Sequence, residues 1–224
     1  MPLLGEAAIA MWWNVAGEHL AEFQEWHSKE HLPERLALPG FRRGSRWRRE
    51  GTGDFFVIYE LAEYAALVSP AYRQRLDNPT PWSTAMMPLH RGMVRSQCRV
   101  VASHGRGVAT FCSTIRLSPP SGRAPQLAAR LGEVLAEMPN TQGITAAHLL
   151  VTDTPASPPT REQQIRAGDA AADWIVLVAG HDPAALQAAF RSVLGPTALG
   201  NLGAADVSHD QLYRLVHAMA PQDL

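Results

Sequence analysis

The order of apolar and turn-forming segments repeats once along this chain, and the repeat constrains the fold more than any single motif. Ala8 to Val15 is a short apolar run bounded by Glu6 and Gly17, too short for a helix, and reads as a strand. From Glu18 the spacing turns helical through Leu20, Phe23 and His27, and Pro33 predicts the stop because its ring disfavours helical geometry in the residue before it; a second short turn reaches Leu36. After the Pro39-Gly40 turn, residues 41–49 and 54–61 flank a glycine-rich link and predict an antiparallel hairpin. Ser69-Pro70 supplies a cap and first position for a short helix through Tyr72 and Leu76, stopped at Asn78-Pro79, and a strand follows from about Met93 to Val101. The first 104 residues therefore read β-α-β-β-α-β, the split βαβ order in which a four-stranded antiparallel sheet carries both helices on one face.

The order then restarts. Gly107 to Leu117 reads as a strand, Pro125 to Met138 as a helix with Leu127, Leu131 and Leu135 on one side, and Gly143 to Val151 and Ala172 to Ala179 as strands. Asp182-Pro183 opens a last helix that Gly195-Pro196 closes, and Val207 to Val216 reads as the final strand. The expected division is 1–106 and 107–224, with a mobile hairpin insertion at about 152–171, a proline-rich stretch of the kind that can cover a pocket. A sheet with helices on one face leaves its other face apolar, and each large side chain exposed there forgoes roughly 1.5–3 kcal/mol. Two such sheets in one chain can cover each other, so the expectation is an α+β chain of two tandem units packed sheet to sheet, helices outside.

Composition removes several classes of function. Positive and negative side chains nearly cancel to a net charge of -1, which leaves no overall field for nucleic acid or an anionic membrane. No apolar run approaches the roughly 20 residues that span a bilayer, and the N-terminus reads as a strand rather than a signal peptide. Cys98 and Cys112 form neither a disulfide framework nor a metal motif, which fits a cytoplasmic protein.

The two halves match in element order but not in side chains. Trp12, Trp13, Trp26, Trp47 and Trp82 all lie in the first half, as does the ionisable cluster from Trp26 through Arg35. At about 100° per residue, His27 and His31 fall on the Leu20 stripe that faces the sheet, with Trp26 and Glu30 at its edge. Two inward imidazoles are either core histidines with partners or the acid/base pair of a pocket, since a buried imidazole without partners costs about 1–3 kcal/mol.

The run Glu30-His31-Leu32-Pro33-Glu34-Arg35-Leu36-Ala37-Leu38-Pro39-Gly40-Phe41, preceded by Phe23 and Trp26, resembles the first-helix signature of the dimeric α+β barrel superfamily, especially its EthD-like members. The resemblance implies two ferredoxin-like units, pockets between helices and sheet, and chemistry that commonly needs neither metal nor organic cofactor. It implies a small aromatic or polyketide-like ligand and either cofactor-independent proton transfer, of isomerase, cyclase or lyase type, or non-catalytic binding. Relatives are mostly single units that dimerise, so a homodimer is a further expectation. On this reading His31 is the first choice for general acid/base with a pKa near neutrality, His27 its neighbour, and Glu30 the group that orients it. Arg46 and Tyr59 are candidates to bind a ligand oxygen, and Trp26 and Trp82 to form apolar walls.

Other patterns compete. His27-Ser28-Lys29-Glu30-His31 matches the inverted zinc-peptidase spacing, which needs a third ligand such as Glu133 or Glu137. The strip Arg42, Arg43, Arg46, Arg48 and Arg49 could track a phosphate backbone, although a solvated strand face is the plainer reading. Haem ligation by His27 or His31 is a lower alternative by fold analogy.

Overall fold

The computed structural model describes residues 3–155, 158–209 and 212–224. Its elements run β1 Ala7–Asn14, α1 Leu20–Trp26, a π-type turn His27–His31, α2 Leu32–Leu36, β2 Phe41–Arg48, β3 Asp54–Leu61, α3 Pro70–Asp77, α4 Pro81–Met86 and β4 Arg91–Gly105. Then come β5 Phe111–Ser118, α5 Ala124–Glu137, β6 Ile144–Thr152, α6 Arg161–Ile165, β7 Trp174–Gly180, α7 Pro183–Arg191, α8 Pro196–Leu202, β8 Ala205–His209 and β9 Tyr213–Met219. Among the described residues no helix is long and apolar enough to cross a membrane. Cys98 and Cys112 are both buried and outside any disulfide among the described residues.

The chain forms two compact units, one of residues 4–98, 153–171 and 216–224, the other of residues 3, 99–152 and 172–215 among those described. In the first, the strands lie in the order β4-β1-β3-β2. Ile9 stands opposite Tyr59 and Trp13 opposite Phe55, so the face carrying Ile9, Met11, Trp13, Phe55 and Tyr59 meets the helices in one apolar core with Phe23, Trp26, Leu32 and Leu36. In the second, the order is β8-β5-β7-β6. Here Leu127, Leu131 and Leu135 of α5 and Leu186 of α7 pack on Ile115, Leu149 and Val176. Fourth strand, first, third, second is thus the sheet order of both units, as the β-α-β-β-α-β reading requires.

Local chemistry accounts for most boundaries. The Ser69 hydroxyl accepts from Tyr72 N at 3.2 Å ahead of Pro70, and Asp182 accepts from Ala184 N at 2.8 Å ahead of Pro183, so each helix begins with a capped donor and a proline that lacks one. Gly44 has a different task. A Cβ there would stand 2.3 Å from Leu32 Cδ2 and 3.0 Å from Tyr59 Cε1, so only glycine lets α2 and the tyrosine ring approach β2 this closely.

Four expectations are corrected. The first helix does not stop at Pro33 but runs on to Leu36, because the turn before the proline widens: Leu32 N donates to His27 O, an i→i+5 bond. In a regular helix the Pro33 ring would press on the carbonyl four residues back, and the wider turn relieves it. Secondly, α4, capped by Thr80, was not foreseen. The final strand is two, β8 and β9, the intervening residues 210 and 211 lying outside the described ones.

The fourth correction matters most for the site. The stretch 152–171 was expected as a mobile insertion of the second half. Of its described residues, 153–171 belong to the first unit, and α6 opens with a capping box in which Thr160 and Gln163 satisfy each other's backbone donors. Glu162 is 3% exposed. Ala156 and Ser157 lie outside the described residues.

Candidate functional site

The helical stripe of the first unit delivers His27, His31 and Arg35 to one line, four residues apart, facing the sheet. They are 1%, 8% and 2% exposed, so the inward placement expected of the histidines holds. The imidazole rings lie 5.5 Å apart, centroid to centroid, and Trp26 packs on His31 at 4.6 Å. Between them and the sheet is a hollow of about 30 Å³. By volume it holds about two waters.

Its lining explains its character. Ile9, Met11 and Trp13 form the sheet side, and Tyr59 enters from β3. Five polar atoms of the lining residues are buried without a protein partner: Nε1 of Trp13, Nδ1 of His27, Nδ1 of His31, the Tyr59 hydroxyl and Nη1 of Arg35. Buried polar groups in folded proteins are nearly always paired, so these atoms call for water or a polar guest in the hollow.

The electrostatics set the protonation states. Burial, then the Arg46 guanidinium, holds His27 well below the ordinary imidazole range, and burial, then Arg35, does the same to His31. His90, whose Nδ1 lies 3.0 Å from Met87 O, is pushed down to about 3 by burial and by Arg166. All three rings are neutral at pH 7, which corrects the expectation of a histidine titrating near neutrality. Burial pushes the Tyr59 phenol up, so it keeps its proton. Burial opposes the charge on Arg35, but its surroundings, with the Glu162 carboxylate foremost, more than offset it. Glu162 accepts from Arg35 Nη2 and also meets Arg166 at 3.7 Å, while Arg166 pairs with Asp169 at 2.8 Å.

Of the seven site residues expected from sequence, His27, His31 and Tyr59 line the hollow and four do not. Glu30 does not orient His31: its Oε1 accepts from Trp26 Nε1 at 3.2 Å, Thr80 Oγ1 at 2.5 Å and Ser83 Oγ at 3.1 Å, which ties the π-type turn to the start of α4. Trp26 backs His31 rather than facing the cavity. Arg46 turns to the π-type turn, donating to Ser28 Oγ at 3.0 Å, and Trp82 packs at the edge of the core. Because the Glu30 carboxylate is consumed in this way, the zinc-peptidase pattern lacks its base, and no group of three metal-ligating side chains stands together among the described residues. The arginine strip is likewise engaged: Arg43 with Glu60 at 2.6 Å, Arg48 with Thr52 O at 2.6 Å and Arg49 with Asp54 at 3.6 Å.

Sequence reasoning missed Arg35, His90, Tyr72, Arg95, Glu162 and Arg166. Only Arg35 carried a signal, since it continues the 27, 31 spacing by one more helical step. A second cavity of about 360 Å³ adjoins the hollow, and Tyr72, Leu76 and Arg95 line both, forming the wall between them. Arg95 Nη2 donates to the Tyr72 hydroxyl at 2.8 Å within that wall.

No family model and no curated protein matches this sequence. Solved structures do match it in fold. An anthrone oxidase-like protein aligns with a TM-score of 0.65 at 13% identity, over 98% of this chain and 95% of that one. A proposed monooxygenase of Fusobacterium nucleatum aligns with a TM-score of 0.61 at 8% identity, over 96% and 95%. One of Lactobacillus acidophilus aligns with a TM-score of 0.58 at 10% identity, over 96% and 97%. At such identities the likeness speaks for the fold alone, and it does so over nearly the whole chain.

Proposed function

We propose, for a chain with the ferredoxin-like fold of the dimeric α+β barrel proteins, that the first unit binds a small aromatic or polyketide-like molecule and catalyses proton transfer from it without a cofactor. One observation carries the reading: the two histidines, Tyr59 and Arg35 line one hollow, and each has a buried polar atom without a protein partner.

Neutral imidazoles beside guanidinium groups are weak bases, because the protonated ring meets like charge in a poorly solvated site. Such a base removes only an acidic proton, as from an enol, a phenol or the methylene between two carbonyls. His31 is the acceptor in this scheme, with His27 beside it. The anion left behind is stabilised by the free Nη1 of Arg35 and by the Tyr59 hydroxyl, both fixed in place beforehand. The body of such a substrate exceeds the hollow, so it rests in the larger cavity and presents its reacting atom past the wall of Tyr72, Leu76 and Arg95.

Deuterium uptake from D2O into the acidic methylene of benzoylacetone, followed by NMR, tests the reading. The wild-type protein should accelerate it, and His31→Ala should lose about 10²-fold or more while affinity changes little. Saturable binding with no acceleration by the wild type sinks the catalytic reading in favour of non-catalytic binding.

A further inference from the structure

The larger cavity is lined by a buried guanidinium that no carboxylate touches directly. Arg95, on β4, is 8% exposed, and the Tyr72 hydroxyl, a neutral group, is its side-chain hydrogen-bond partner. Among the described residues no carboxylate forms an ion pair with it. This sets it apart from Arg35, Arg43, Arg75 and Arg166 in the same unit, each of which meets a carboxylate directly. Asp169 and Glu162 favour its charge only from beyond ion-pair distance, so an anion delivered into the adjoining space would still gain direct charge-assisted hydrogen bonds to it.

A second observation lies two residues along the same strand. Gln97 is 6% exposed, and its Oε1 is buried without a protein partner, although its backbone N donates to Thr154 Oγ1 at 3.2 Å. Both residues line the larger cavity. Residues i and i+2 of a strand face the same side, so one molecule can meet the cation with one group and the amide oxygen with another. The rest of the lining includes Leu67, Val68 and Leu76, apolar surface suited to a ring system, and about 360 Å³ lies in the range of pockets that take compact organic ligands.

We propose that this cavity is a binding site for an aromatic carboxylate that also bears a hydroxyl or N–H donor, its carboxylate paired with Arg95 and its donor received by Gln97. The assignment deepens the proton-transfer reading by naming the charge of the substrate, but binding here does not depend on the histidines. Arg95 is then both the anchor of the ligand and part of the wall through which the ligand's reacting end meets the hollow, so occupancy competes with the Tyr72 hydrogen bond for the guanidinium.

Titration calorimetry with 6-hydroxy-2-naphthoate, its primary amide and 2-naphthoate tests this. The hydroxy-carboxylate should bind the wild-type protein at least roughly tenfold more tightly than the amide, which keeps shape and removes charge. Arg95→Met should abolish that preference, and Gln97→Leu should abolish the preference for the hydroxylated over the plain naphthoate. Equal affinity for carboxylate and amide in the wild type overturns the assignment, as does failure of all three to bind; this comparison needs no variant and stands if Arg95→Met does not fold. A charge preference retained in folded Arg95→Met overturns it too. Carboxylate preference without deuterium exchange would leave this site intact and remove only the proton-transfer reading.

Discussion

Arg35 and Glu162, 127 positions apart in sequence, form a buried ion pair that closes one side of the hollow. Their side chains are 3% and 4% exposed. The pair joins the first helix to α6, so a segment far along the chain completes the surroundings of residues near its start.

Breaking that pair from one side should be expensive. Glu162→Ala leaves Arg35 and Arg166 buried without their shared carboxylate, and unfolding in urea should show a loss of about 3–5 kcal/mol. Arg35→Met combined with Glu162→Met should cost much less than the sum of the two single changes, because neither charge is then stranded. Additive losses would show that the two residues do not act as a pair.

Acid should destabilise the first unit through its histidines. The folded-state pKa of His90 lies near 3, below the unfolded value of about 6.5, and His27 and His31 are shifted the same way. Between those values the unfolded chain binds protons that the folded one refuses, so the contribution is complete above about pH 6.5 and is lost as pH falls toward the folded pKa. Each such histidine adds up to about 1.4 kcal/mol per pH unit to the slope. Unfolding free energies measured from pH 7 to pH 5.5 should fall less steeply for His90→Gln than for the wild type; an equal or steeper slope in the variant contradicts the assignment.

Glu30 should prove structural. Removing its carboxylate by Glu30→Ala strands the hydroxyl donors of Thr80 and Ser83, while Trp26 Nε1 keeps Ser83 Oγ at 3.2 Å, for a loss of about 1–3 kcal/mol by thermal or urea unfolding. At temperatures where the variant remains folded, deuterium exchange into benzoylacetone should stay within severalfold of wild type. A loss as large as that of His31→Ala would return Glu30 to the chemistry.

Gly44 should not tolerate a methyl group. Gly44→Ala drives a Cβ into Leu32 and against the Tyr59 ring, and overpacking of this kind costs about 1–3 kcal/mol. Chemical shifts of the Tyr59 ring should move in any variant that folds. An unperturbed ring at unchanged stability would mean that the close approach of α2 to β2 is not needed.

What the amino-acid order determined by itself was local and periodic. The β-α-β-β-α-β order of both units, α4 and the split last strand apart, the caps at Ser69 and Asp182 and the inward stripe of His27 and His31 follow from spacing and turn chemistry, since a helix or strand puts residues on one face by geometry that neighbours in sequence already specify. The tertiary structure decided which polar groups meet. Glu30 and Arg46 lie near the histidines in sequence or on the adjoining sheet, yet both turn to other partners, while Glu162 arrives from a stretch whose prolines and polar residues carried no sign of burial. Desolvation then set the protonation of the imidazoles, and desolvation depends on every atom that excludes water from a site, which no short run of sequence contains.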